Sequence, residues 1–370
     1  MSFASFPSGT AHSINIIHMC QSMTRLGNRV ILLGNILASP EKIYDHYGIQ
    51  DPFCIENIHL KNIRFAGRLL AMKYISRLVK RLGADILFTR DIFNGWLASY
   101  LGKPFLFELH ELPQGGLRQA LLKRIVSSQN LQRLIFISER LESLFFKKYT
   151  NTKLDFCVAH DGVSRESLER NQSQEEDRKD LDLPLGKTIA GYTGSLFPGR
   201  GSEIIFQLAR RFSDIVFLVV GGEGRYLDVM KQKIQDAQIT NILALGHVPH
   251  KTVLGYLNSC DFLLMPYQKQ VLHRQAKHNT VEYMSPLKMF EYLAAGKPII
   301  SSRIPVLEEV LTDERNALLV DPDDLSGWEK ALKRLLSDQR FAQVLSEQAR
   351  KDSERYTWDK RAATIFWKKE

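Results

Sequence analysis

Short apolar runs alternate with amphipathic stretches along most of the chain. In the first half, Phe3 to Phe6, Val30 to Leu33, Ile86 to Thr89, Phe105 to Leu109 and Leu134 to Ile137 have the length and composition of strands. Ala11 to Leu26 repeats its apolar residues at helical spacing and closes on Gly27, and Lys61 to Leu82 does the same and closes on Gly83. Residues 164–187 break the pattern: they are dense in charge and nearly free of large apolar side chains, which predicts an exposed connection between domains. A second series follows, with strands at Thr188 to Tyr192, Ile215 to Val220, Ile242 to Leu245, Phe262 to Met265 and Leu318 to Val320. Helices are expected at Ser202 to Arg211 and over most of Ser326 to Lys369. The predicted class is α/β, with two Rossmann-like doubly wound domains, residues 1–165 and 186–355. Each has a parallel sheet, and a central cleft lies at the carboxyl ends of the strands.

The segment SPLKMFEYLAAGKPIISS, residues 285–302, carries helix signals at both ends. Ser285 suits an N-cap, Pro286 the first helical position, and Gly296 the left-handed stop before Pro298. A helix start offers free N–H groups and partial positive charge, a natural seat for a diphosphate. Lys288 falls in that first turn. The helix dipole disfavours a cation there, so a bound anion accounts for it better than local stability does. Glu291, further along an otherwise apolar element, can accept two hydroxyl hydrogen bonds, as from a ribose.

Composition narrows the setting. The 370 residues suffice for two domains, and no run of 18 apolar residues predicts a membrane span. The N-terminus does not read as a signal peptide. Cys20, Cys54, Cys157 and Cys260 are scattered and fit reduced thiols in a cytoplasmic protein. Residues 1–160 carry 20 Lys and Arg against 11 Asp and Glu, a net of +9, which is the net charge of the whole chain. That asymmetry implies an anionic partner for the first half, or else a solvated basic surface. Within Lys61 to Leu82, Lys73, Arg77, Lys80 and Arg81 share one side, and Ile75, Leu78, Val79 and Leu82 the other. Such a helix can lie on an anionic membrane, or its apolar stripe can be core.

Other motifs add candidates. Gly194-Ser195-Leu196-Phe197-Pro198-Gly199-Arg200-Gly201 follows a strand and opens a helix; its glycines admit a phosphate and Arg200 can bind one. Gly221-Gly222-Glu223-Gly224 fails as a dinucleotide fingerprint because Leu227 stands where the third glycine belongs, leaving a tight turn. His110, at a strand's carboxyl end, can bond a sugar hydroxyl or move a proton, or pack as a satisfied core residue. Asp321-Pro322-Asp323 reads as a turn and N-cap rather than a metal motif. His247, His250, His273 and His278 lack zinc spacing and are expected in loops. Residues 268–280 are polar and basic, a flap or an inert loop.

Together the pieces FPSGTAHS, ELHEL, AHDGV, GYTGSLFPGRG, LGHVPHKTVLGYLNSCDFLLMPY, SPLKMFEYLAAGKPIISS and YTWDKRA resemble, in order and spacing, glycosyltransferase family 4, retaining enzymes of the GT-B fold. The resemblance runs over nearly the whole chain and implies a nucleotide-sugar donor held by the second domain. Glu291 resembles the second Glu of the family's E-x7-E motif, which holds the ribose. Arg200 matches the basic phosphate ligand, with Gly194 and Ser195 in the same loop. Val248 falls where a backbone group meets the base. Ser285, Pro286 and Leu287 match the helix start at the diphosphate. Gly9 and Thr10 match the N-terminal loop near phosphates and acceptor, and His110 the residue beside the transferred sugar. The terminal helix, about 356–370, is expected to return to the first domain. Two departures stand out. Tyr283 occupies the place of the first Glu, with Glu282 next to it as a substitute, and Ser195 stands where a second basic residue is usual, with Lys288 to compensate.

The expected activity is metal-independent, cofactor-free, retaining hexosyl transfer from a nucleotide-sugar, UDP preferred and GDP next. The expected acceptor is an anionic glycan or lipid-linked molecule in cell-envelope polysaccharide or glycolipid synthesis. Arg200, Lys288 and His110 are the expected catalytic residues. The expected location is cytoplasmic, with peripheral contact on the inner membrane face through residues 61–82 and no nucleic-acid partner. The alternatives are a non-catalytic nucleotide-sugar or glycan-binding subunit, and a sugar-nucleotide epimerase or hydrolase on the same fold.

Overall fold

The computed structural model describes residues 1–58, 65–149, 154–271 and 279–366, the side chains of 65–69 excepted. The chain divides into two units, Met1–Asp161 with Trp358–Glu370, and Gly162–Thr357. The first unit runs β1 (Ser5–Phe6), α1 (Ala11–Arg25), β2 (Ile31–Ile36), α2 (Pro40–Tyr47), β3 (Cys54–Asn57), α3 (Phe65–Leu82), β4 (Leu87–Thr89), α4 (Ile92–Ala98), β5 (Phe105–Leu109), α5 (Gly116–Val126), β6 (Leu131–Phe136), α6 (Glu139–Lys148) and β7 (Phe156–Val158). The strands pair in parallel in the orders β1-β2-β3 and β4-β5-β6-β7. The chain start joins the two sets: the Met1 ammonium donates to Phe88 O at 2.7 Å, and Thr89 Oγ1 donates to Met1 O at 2.9 Å.

The second unit runs α7 (Arg165–Leu168), α8 (Gln174–Asp180), β8 (Thr188–Thr193), α9 (Ser202–Arg211), β9 (Ile215–Val220), α10 (Arg225–Asp236), β10 (Ile242–Gly246), α11 (His250–Asn258), β11 (Phe262–Met265), α12 (Leu287–Ala295), β12 (Ile299–Ser302), β13 (Leu318–Val320), α13 (Leu325–Ser337) and α14 (Gln339–Ser353). One six-stranded parallel sheet has the order β10-β9-β8-β11-β12-β13. Its strands are buried on both faces, which is why they read as continuous apolar runs instead of alternating ones. Along β9, Leu218 and Val220 enter one core with Met289, Phe290 and Tyr292 of α12. Ile215, Phe217 and Val219 enter the other core with Trp328 and Leu332 of α13. The order reverses between β8 and β11, so the crossovers leave these neighbours on opposite faces and open a crevice beyond their carboxyl ends.

Three expectations change. Residues 164–187 are not a bare connection: they fold onto the second unit. Arg178 of α8 is buried, donating from Nε to Ser259 O at 2.8 Å, from a terminal nitrogen to Lys187 O at 3.0 Å, and to Asp261 Oδ2 at 2.8 Å. Ser173 and Glu176 form a capping box, a signal the sequence contains as S-x-x-E. On α3, Ile75, Leu78 and Val79 are core, while Lys73, Arg77, Lys80 and Arg81 are exposed, so the apolar stripe is not available to lipid. Residues 61–64 of the expected helix lie outside the described residues, as do His273, His278 and most of the 268–280 segment. Finally, α2, β3, α4, α5, α6, β7 and α10 extend the expected alternation; several are short and carry polar faces that blur their period.

The last helix, α15 (Trp358–Phe366), belongs to the first unit. Trp358 stacks on His18 of α1 with ring centroids 6.0 Å apart. Arg133 of β6 caps the helix end, donating to Thr364 O at 3.1 Å and Ile365 O at 3.0 Å. Arg361 is buried; it donates to His160 O at 2.8 Å and to Glu108 Oε2 at 2.9 Å. Breaking a buried ion pair from one side strands the other charge, so Arg361→Ala should destabilise the chain by about 3–5 kcal/mol. Urea unfolding checks this; a loss within error of zero would mean that His110 and Arg90, which also contact Glu108, satisfy its charge without Arg361.

Candidate active site

In the second unit, the loop after β8 and the segment after β11 meet at the reversal point. Gln268 N donates to Gly199 O at 2.9 Å. Gly201, at φ +88°, lies so close that a Cβ there would sit 2.0 Å from Pro266 O, and only glycine fits. This contact holds Arg200 beside Tyr267: an Arg200 terminal nitrogen donates to Tyr267 Oη at 2.8 Å, and the guanidinium lies 5.1 Å from the ring centroid.

α12 points its N-terminus into the same place. Its N-cap is Pro286, one residue later than expected, which puts Ser285 before the cap and Leu287 at the first helical position. Proline supplies neither an N–H nor a side-chain acceptor, so the N-cap residue's own side chain leaves the helix's first N–H groups uncapped. Lys288 is 8% exposed, and its Nζ has no hydrogen-bond partner among the described residues. The ammonium lies 3.8 Å from the Tyr192 ring centroid and 5.2 Å from that of Tyr267. Gly194, at φ +126°, lies directly against it: a Cβ there would come within 2.8 Å of Nζ. Burial, and then the neighbouring Arg200 charge, hold the Lys288 pKa well below the usual lysine value, against a smaller opposing pull from Glu291. Two cations therefore converge on a helix start, and among the described residues neither cation is ion-paired.

Glu291 lies on the same helix. It is half-buried, and Oε1 is 2.9 Å from Nε2 of His250. His250 is the first residue of α11 rather than a loop residue, two positions after the half-buried Val248. Ser195 is half-buried and its carbonyl accepts from Tyr192 Oη at 2.7 Å. Glu282 is exposed on a turn, while the adjacent Tyr283 is buried. Gly221 and Gly222 form the tight turn after β9. Asp321 and Asp323 both face Lys269, at 3.4 and 2.6 Å, and Asp324 caps α13.

In the first unit, Gly9 and Thr10 are exposed, and Thr10 caps α1 by accepting from Ser13 N at 3.3 Å. His110 follows β5. Its Nδ1 faces Arg90, which can only donate, so Nδ1 accepts and Nε2–H donates to Glu108. Both ring nitrogens are thus engaged, in a buried network with Arg361 and with Asp161, whose Oδ1 accepts from Asn15 at 2.7 Å. Nothing in the sequence singles out Arg90, Arg361, Tyr192 and Tyr267, and His250 draws notice there only as a histidine without zinc spacing. The usable signal was position: Tyr267 and Arg90 each fall one or two residues past a strand's carboxyl end.

Residues 173–352 match the family described as Glycosyl transferases group 1. HepE of Anabaena, solved with UDP and glucose, has the same fold, with a TM-score of 0.74 at 16% identity over 98% of this chain and 96% of that one. The chain has the GT-B fold and is similar to family 4-like glycosyltransferases. Among curated glycosyltransferases, an uncharacterized one from Methanocaldococcus jannaschii is 21% identical over 83% of this chain and 81% of its own length. The putative teichuronic acid biosynthesis glycosyltransferase TuaH of Bacillus subtilis is 29% identical over 58% of this chain and half of its own length. In family terms, the converging cations and helix start are in the unit whose residues match the family description, and His110 is in the other.

The histidines of the first unit carry a pH signature. Burial, reinforced by Arg90, takes His110 down to about 4 and His12 to about 2, and burial takes His160 to about 4. Each binds a proton more readily unfolded than folded, so stability is full above about pH 6.5 and is lost as pH falls toward 4. Asp161, pushed up to about 6 by burial, opposes this over part of the range, one group against three. The urea midpoint should drop between pH 6.5 and 4; a flat profile would contradict the neutral-histidine assignment.

Proposed function

We propose that the chain transfers a hexosyl group, with retention and without a metal, from a nucleoside-diphosphate sugar to an acceptor hydroxyl. One observation carries the reading: Lys288 is buried, unpartnered among the described residues and set at an uncapped helix start beside Arg200. A buried cation without a partner is costly, and a bound diphosphate relieves that cost. As the bond from the sugar's anomeric carbon to the diphosphate oxygen breaks, negative charge grows on the leaving group. Arg200, Lys288 and the Leu287 and Lys288 N–H groups stabilise it. The acceptor oxygen bonds to the same face of that carbon, and its proton passes to a leaving phosphate oxygen. Glu291, oriented by His250, holds the ribose, and Val248 lies near the base. UDP is the preferred nucleotide and GDP the next. HepE, solved with UDP and glucose, supports that order.

The acceptor proposed is an anionic glycan or lipid-linked molecule of cell-envelope polysaccharide or glycolipid synthesis. The net charge of +9 in residues 1–160 supports it. The proposed location is cytoplasmic, with charge-driven contact between α3 and the inner membrane face. The second reading, a non-catalytic nucleotide-sugar-binding subunit, is favoured by one observation: Tyr283 is buried where the family's first Glu belongs, and Glu282 is exposed.

Thermal-shift titration with UDP, GDP, ADP and NAD, with and without EDTA, tests the donor site. One nucleoside diphosphate should raise the melting temperature independently of EDTA, and Glu291→Ala should abolish the shift. Arg200→Ala and Lys288→Ala should each slow transfer about a hundredfold, roughly 3 kcal/mol. Tight binding with no turnover against any acceptor would select the second reading, and no shift at all would sink both.

Membrane contact has its own test. The exposed cations of α3 should hold the protein on vesicles containing phosphatidylglycerol at low salt, each worth about 1 kcal/mol. Raising salt to about 0.5 M should release it, because the screening length falls below about 5 Å. Combined Lys73→Glu, Arg77→Glu and Lys80→Glu should prevent binding; unchanged binding would remove α3 from the contact.

A further inference from the structure

A buried ammonium ordinarily has a carboxylate beside it. Lys288 instead has two aromatic faces. Tyr192 is pinned by its hydroxyl, which donates to Ser195 O at 2.7 Å, and the Tyr267 hydroxyl accepts from Arg200 at 2.8 Å. Both rings are about 1% exposed, so neither has room to turn away. The Tyr267 face serves both cations, at 5.1 Å from the Arg200 guanidinium and 5.2 Å from the Lys288 ammonium. These distances lie within the range where a ring's negative face attracts a cation.

We propose that Tyr192 and Tyr267 are positioning residues of the diphosphate site, holding Lys288 and Arg200 side by side and charged before the diphosphate arrives. This rests on the diphosphate reading above. The chemistry explains the choice of residue. A carboxylate in their place would neutralise the cations and repel the incoming phosphates. A ring face favours the ammonium without adding net charge, so the site keeps its full attraction for an anion. It also opposes burial, which drives Lys288 toward its neutral form.

The groups facing the ammonium set the sign of the pH effect. Arg200, from the loop after β8, disfavours its charge, and Glu291, on its own helix, favours it. His250 of α11 pairs with that Glu291, and Tyr192 and Tyr267 supply the faces. Diphosphate binding needs charged Lys288, so affinity falls as pH rises through the lysine's value in the free protein. Removing a ring lowers that value further and moves the fall to lower pH.

The test is calorimetric binding of UDP and of GDP to the full chain between pH 7 and 9, each variant compared with the native protein at the same pH so that the nucleotide's own titration cancels. Tyr192→Leu should bind within about threefold of the native protein at pH 7 and about tenfold more weakly at pH 9, the size of a desolvated cation–ring contact. Tyr192→Phe, which keeps the face, should recover the native profile. Phenylalanines of increasing fluorine content at position 192 keep the ring's volume and drain its negative face; they should shift the profile in step and stay informative if Tyr192→Leu fails to fold. Lys288→Met should bind weakly with no pH dependence. Profiles that run parallel across the ring series overturn the proposal, while binding of neither UDP nor GDP by the native protein overturns the diphosphate reading beneath it.

Discussion

In a parallel sheet every strand needs a crossover, and a crossover must choose a face. In the second unit the choice changes at β8 and β11, and much of that unit follows from it. The two loops leave in opposite directions, so the backbone between them is not covered by a helix from either side. Gly201 and Gly199 press the first loop against the second. α12 then arrives end-on, and its first turn supplies the N–H groups that the crevice would otherwise lack. Each part of the site is ordinary; the strand order brings them together.

The two units treat buried charge in opposite ways. In the first, Glu108 and Asp161 meet Arg90 and Arg361, and a neutral His110 completes the network. Charges there balance, and the network fastens the returning helix α15 to β5. In the second, Lys288 and Arg200 have ring faces and a hydroxyl, and among the described residues neither is ion-paired. The first arrangement matches cations with carboxylates. The second is left open, and an open buried charge is the kind of strain that a ligand relieves.

Much of the fold could be read from the chain because apolar period and strand length survive in the central strands. β5, β9, β11, β13 and α9 fall on their expected residues. The failures have physical causes. The 164–187 segment looks like a linker because much of its burial runs through the charged side chains of Arg178 and Asp177, and hydropathy does not register that kind of burial. The helix start shifted by one residue because proline served as the cap in place of serine. For the site, Lys288 and Glu291 stood out because each violates a local rule of charge or patterning, and Arg200 because it lies in a glycine-rich loop that opens a helix. Tyr192, Tyr267 and His250 violate none; their significance is spatial. His110 was legible as a strand-end residue, but its engagement at both nitrogens depends on Arg90, 20 positions away.

The clasp around Arg178 also bears on how such chains recombine. The strand-bounded piece beginning at Thr188 would leave behind α8, and with it the guanidinium that ties Ser259, Lys187 and Asp261 together. Arg350 of α14 likewise donates to carbonyls of α7 and α12. A module exchanged between relatives would therefore carry residues 162–357 as one piece. The seams lie at two peptide bonds, Asp161 to Gly162 and Thr357 to Trp358, rather than at the charged, loop-like stretch where a sequence-guided cut would fall.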